Sequence, residues 1–104
     1  MPAASRPLRL DLNSPAFQEV FFRLELSELK HVVASLQRLR GLDWNALYRH
    51  PGFKWEAIRH IPTPKGATAY SLRLSEKIRA IAYLDGDFLR IISLHPDHDS
   101  AYGR

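Results

Sequence analysis

The sequence predicts an α+β domain: a short strand, two helices, then three antiparallel strands making a small sheet with both helices on one face. Three observations predict it. Leu8–Leu12 alternates apolar and polar side chains, the period of a half-buried strand. Phe17, Val20, Phe21 and Leu24, and then Leu29, Val32, Val33, Leu36 and Leu39, recur at helical spacing. From Ala69 to His95 the chain alternates again, interrupted by turn residues at Ser75–Lys77 and at Asp85–Asp87.

The elements follow in order. Ser14 is placed to cap the first helix, with Pro15 at its first position, where no backbone N–H is needed. Leu26-Ser27 marks a second start with Ser27 as cap, and Gly41 ends that helix. Asp43 caps a short helix over Trp44–Tyr48 that Pro51-Gly52 terminates. Trp55–Ile61 fits either a strand or a helical turn, and Pro62–Gly66 is a loop by composition. Strands are expected at about 68–74, 77–84 and 88–95.

Alternation also assigns faces. With a three-residue turn at Ser75–Lys77, Leu74 faces Ile78 and Arg73 lies across from Arg79. An odd-length loop at Asp85–Asp87 then puts Tyr70, Leu72, Leu74, Ile78, Ala80, Ala82, Leu84, Phe88, Ile92 and Leu94 under the helices, with Arg90 at the edge of that face. Ser71, Arg73, Arg79, Ile81, Tyr83, Leu89, Ile91, Ser93 and His95 would share the open face. A two-residue Asp85-Gly86 turn would instead slip the register by one and exchange the faces of the last strand.

At 104 residues the chain fits one domain, 1–104, with a core that needs no staples. It has no cysteine, which excludes disulfides and thiolate metal sites. No apolar run reaches the length of a membrane span, and Met1–Arg6 lacks the apolar stretch of a signal peptide, so the expected compartment is the cytoplasm. The formal charge of +4 and pI near 9.8 permit nucleic-acid binding without requiring it. Like charges directly opposed on a sheet are unfavourable, so the Arg73/Arg79 pair points to an anionic partner over that face.

Three segments resemble the RelE/ParE superfamily of toxins from bacterial toxin–antitoxin pairs. Leu10–Leu24 (LDLNSPAFQEVFFRL) is similar to its first strand, Ser-Pro start and first helix. Tyr70–Tyr83 (YSLRLSEKIRAIAY) is similar to the central hairpin, whose second strand opens with an arginine. Asp97–Tyr102 (DHDSAY) is similar to the C-terminal stretch. The resemblance implies a cognate antitoxin partner. In the RelE, YoeB and HigB branches it implies cleavage of mRNA on the ribosome without a cofactor; in the ParE branch it implies gyrase inhibition without nuclease chemistry. A non-toxic binding protein of the same fold is a third outcome. No membrane partner is expected, and association with a second copy is left open.

RNA cleavage through the 2′-hydroxyl needs a base, a cation for the phosphorane and an acid for the leaving oxygen. By the resemblance, Arg79 would stabilise the phosphate, His98 would carry a proton, Tyr102 would orient the substrate and Glu56 would act as base. Arg73, Arg59, His60 and His95 would bind RNA phosphates. Arg79 and His98 are expected to be largely exposed. The plainer alternatives are a salt bridge from Arg79 to Glu56 or Glu76, and a solvated Glu56. His95, His98 and Asp99 make a weak metal signal, and no metal is assigned. Trp44 and Trp55 are read as core or groove aromatics.

Overall fold

The computed structural model describes residues 6–96; His98, Asp99 and Tyr102 lie outside this range. The alternation of Leu8–Leu12 yields β1 (Arg9–Asp11), with Leu8 buried behind it. Helix α1 (Pro15–Phe21) starts as expected: the Ser14 hydroxyl accepts from the Phe17 amide and donates to the Ile92 carbonyl at 2.6 Å. Phe17 is buried, and its ring stacks on Phe21 with centroids 5.1 Å apart.

Helix α2 (Leu26–Arg40) begins ahead of the expected Ser27 cap. The Leu29 amide already closes a turn on the Glu25 carbonyl at 2.8 Å, so Glu25 is the cap residue and makes no side-chain capping bond. Val32, Leu36 and Leu39 are buried, whereas Val33 is at the exposed flank, which narrows the predicted stripe. Gly41 ends the helix. In α3 (Trp44–Arg49), Asp43 Oδ1 accepts from the Ala46 amide at 2.8 Å. A single 3-10 turn at Pro51–Phe53 follows, and the undecided segment after it becomes a strand, β2 (Glu56–Ile58). The remaining strands are β3 (Ala69–Arg73), β4 (Ile78–Asp85) and β5 (Phe88–Pro96).

The five strands form one sheet in the order β1-β5-β4-β3-β2. The pairs among β2, β3, β4 and β5 are antiparallel, but β1 pairs parallel with β5, so the sheet is mixed. The β4–β5 hairpin leaves one side of β5 open, and β1 fills it before α1 turns back to pack on β5. The helices cover one face. Phe17, Val32, Leu36, Leu39 and Leu47 meet Leu72, Leu74, Ile78, Ala80 and Ala82 in a single core. Among the described residues no helix is long and apolar enough to cross a membrane.

The first turn matches expectation: the Leu74 amide donates to the Ile78 carbonyl at 2.9 Å, and Arg73 lies opposite Arg79. The second does not. Only Gly86 and Asp87 separate the strands, with Asp85 opposite Phe88 and Leu84 opposite Leu89. Gly86 takes a φ of +62°, the left-handed conformation that glycine adopts without strain at the first position of such a turn. This register buries Leu89 and Ile91 and turns Phe88 and Arg90 to the open face, reversing the expected assignment of those four residues. Keeping a guanidinium out of the apolar layer is the physical gain.

A register shift then corrects the phase. Ala82 opposes Ile91 but Ile81 opposes Ser93, so Ile92 is the extra residue of a β-bulge. Beyond it, Leu94 returns to the core and Ser93 and His95 to the open face, as the sequence predicted.

Candidate functional site

Directly opposed residues of neighbouring strands share a face, so the register lays out two adjacent rows on the helix-free side. Glu56, Ser71, Ile81 and Ser93 make one row across β2, β3, β4 and β5. Arg73, Arg79 and His95 make the next, across β3, β4 and β5. Beside them is a cleft of about 380 Å³, walled by Ala57, Ile58, Arg59, His60 and Ile61 and also lined by Glu56, Ser71, Arg79, Ile81 and His95. Five of the sequence candidates, Glu56, Arg59, His60, Arg79 and His95, therefore converge on one concavity. Arg73 stands across from Arg79. His98 and Tyr102 lie outside the described residues.

Arg79 is more enclosed than expected. Its side chain is only 12% exposed, and its Nε donates to Ser71 Oγ at 2.9 Å. One Nη lies 4.0 Å from Glu56 Oε1, but that carboxylate is 74% exposed. At this distance, and with water around one partner, the ion pair contributes little. The Arg79 charge is thus only weakly compensated by Glu56, while its plane is fixed by Ser71.

Burial pushes the His95 imidazole below its ordinary value, so it is neutral at pH 7. Its Nε2 lies 2.8 Å from Ser93 Oγ. A neutral ring adds no charge to a phosphate site, yet it can accept or give a proton. Arg59 and His60 are exposed at the cleft wall.

The opposite end of the same face is electrostatically different. Arg90 is bound by two carboxylates, Asp11 at 2.6 Å and Asp85 at 2.9 Å. The Asp11 carboxyl is held below its ordinary range, first by the Asn13 backbone N–H and then by Arg90. Arg9 and Arg90 both sit over the Phe88 ring, each 4.7 Å from its centroid. Arg90 is a structural cation, whereas Arg79 is paired only weakly, with Glu56.

Trp55 stacks on Tyr70 with centroids 4.3 Å apart, and Trp44 meets both rings edge-on, so the two tryptophans form an aromatic margin of the core. No group of three His, Asp or Glu side chains arranged to hold a metal occurs among the described residues.

The search of protein-family models gives no match to this chain, and the curated proteins give none. Among solved structures, the chain is similar to a copper-bound mutant toxin from Helicobacter pylori, with 19% identity and a TM-score of 0.47 over 86% of this chain and 93% of that one.

Sequence reading passed over Ser71 and Ser93, which brace Arg79 and His95. The available signal was their place on the open face of adjacent strands, beside basic residues. The apolar wall of Ile58 and Ile61 was hidden because the strand β2 was undecided.

Proposed function

We propose that the protein is a RelE-like endoribonuclease toxin that cleaves mRNA on the ribosome and is neutralised by a cognate antitoxin. The observation that carries this reading is the cleft on the helix-free face, where the weakly compensated Arg79 lies opposite the neutral His95 beside Glu56.

The chemistry requires little else. Glu56 takes the proton from the 2′-hydroxyl, and the resulting oxygen attacks the adjacent phosphorus. Arg79, with Arg73 beside it, stabilises the added negative charge of the phosphorane. His98 supplies a proton to the departing 5′-oxygen, and Tyr102 orients the nucleotide. Arg59 and His60 hold flanking phosphates, while His95 hydrogen-bonds the substrate from the strand opposite Arg79. An arginine suits this role because its fork meets two phosphate oxygens at once.

The test is induced expression of the free protein. Growth should stop with translation falling and cleaved mRNA appearing, and the purified protein should cleave ribosome-bound mRNA in the presence of EDTA. Normal translation with blocked DNA supercoiling would assign the protein to gyrase inhibition. Growth without either defect would leave a non-toxic binding module, a reading that the modest net charge of +4 favours.

A further inference from the structure

Resting on the reading of this cleft as a phosphate site, we propose that Ser71 is a positioning residue that fixes Arg79 for end-on recognition of a phosphate. A guanidinium offers two bidentate edges: the side edge formed by Nε and one Nη, and the end formed by the two Nη groups. In this protein the Nε–H is committed to Ser71 Oγ at 2.9 Å. The side edge is therefore occupied, and only the end-on fork is available to a ligand.

The hydroxyl is well placed to do this. Ser71 is 5% exposed, in the middle of β3, with Glu56 opposite it on one side and Ile81 on the other. Its backbone is fixed by two ladders, so its oxygen is a rigid anchor. The Arg79 side chain crosses diagonally from the next row to reach it. One Nη then lies 4.0 Å from the exposed Glu56 carboxylate, a contact that a phosphate can displace at small cost. A lysine at position 79 could not reproduce this arrangement, because one ammonium cannot hold Ser71 and two phosphate oxygens in the same plane.

The experiment uses the full chain with inorganic pyrophosphate as probe, so it does not depend on cleavage. In wild-type protein the Arg79 guanidinium Nε–H should give a slowly exchanging signal by NMR. Ser71→Ala should lose that signal and raise the pyrophosphate Kd about tenfold, the scale of a hydrogen bond to a charged group; Ser71→Thr should keep both near wild type. Should Ser71→Ala not fold, Ser71→Thr and Ser71→Val, equal in shape and differing in the hydroxyl, make the same comparison. In an Arg79→Lys background, removing the Ser71 hydroxyl should weaken binding no further. The proposal is overturned by wild-type pyrophosphate affinity in the hydroxyl-free variants, by an equal loss in the Arg79→Lys background, or by wild-type protein that does not bind pyrophosphate. Intact pyrophosphate results support it even where ribosome-bound mRNA is not cleaved, an outcome that counts against the nuclease reading alone.

Discussion

Replacing Arg79 by alanine tests the site and the fold together. The side chain is 12% exposed, so its loss is not a surface change. Without it, the Ser71 hydroxyl, in a residue 5% exposed, loses its donor. An unsatisfied buried polar group costs about 1–3 kcal/mol. The two extra methylenes of the arginine stem add about 1.5 kcal/mol where fully buried. Relief from holding a partly desolvated cation offsets some of this. A net loss of about 2 kcal/mol follows, which lowers the Tm of a domain this size by about 10 °C. A domain with about 5–15 kcal/mol of stability stays folded at 25 °C after such a loss. The cleavage rate at that temperature therefore reports chemistry, and it should fall by at least ~100-fold. Arg79→Lys should recover only part of the rate. Thermal melts and single-turnover cleavage of ribosome-bound mRNA measure both effects. An unchanged Tm with wild-type cleavage would refute the burial argument and the assigned role at once.

Four further outcomes follow from the same geometry. His95 is harder to protonate in the folded protein, so between its ordinary value near 6.5 and its lowered folded value the unfolded chain binds more protons. Stability is therefore complete above about pH 6.5 and declines as pH falls through that window, and urea melts of His95→Gln should lack this decline. Asp11 is depressed too, so its contribution is full above its ordinary value of 3.8 and lost as pH falls through the lowered one, which melts of Asp11→Asn at acid pH should show. Arg90→Ala removes a cation already held by Asp11 and Asp85, so melting should weaken while cleavage and pyrophosphate affinity stay at wild type; lost activity would move the site to the wrong end of the sheet. Deleting Ile92 joins Ile91 to Ser93 and leaves every other β4–β5 pairing in register, so NMR should still find His95 beside Arg79, with α1 loosened because Ser14 loses its acceptor.

The sequence by itself determined the elements other than β2, and most of the open face. Ser14-Pro15 and Asp43 act through local capping chemistry, and α2 stops at Gly41 as expected, although that glycine keeps a right-handed φ of −87°. The Ser75–Lys77 turn and strict alternation were enough to set Arg73 opposite Arg79. Where local signals were equal, the sequence was silent. Ile91 and Ile92 are identical side chains, so nothing local says which one is buried. Gly86 permits turns of either length. The tertiary structure chose, because a two-residue turn buries Leu89 and Ile91 and sends Arg90 out to Asp11 and Asp85, at the expense of one bulge. That bulge decides the site: were Ile92 paired in the ladder opposite Ile81 instead of bulged out, continued alternation would turn His95 into the core and Leu94 out beside Arg79. The enclosure of Arg79 by Ser71 was likewise not legible: the two are only eight residues apart on one hairpin, but their bond is a diagonal side-chain contact that turn length and alternation do not specify.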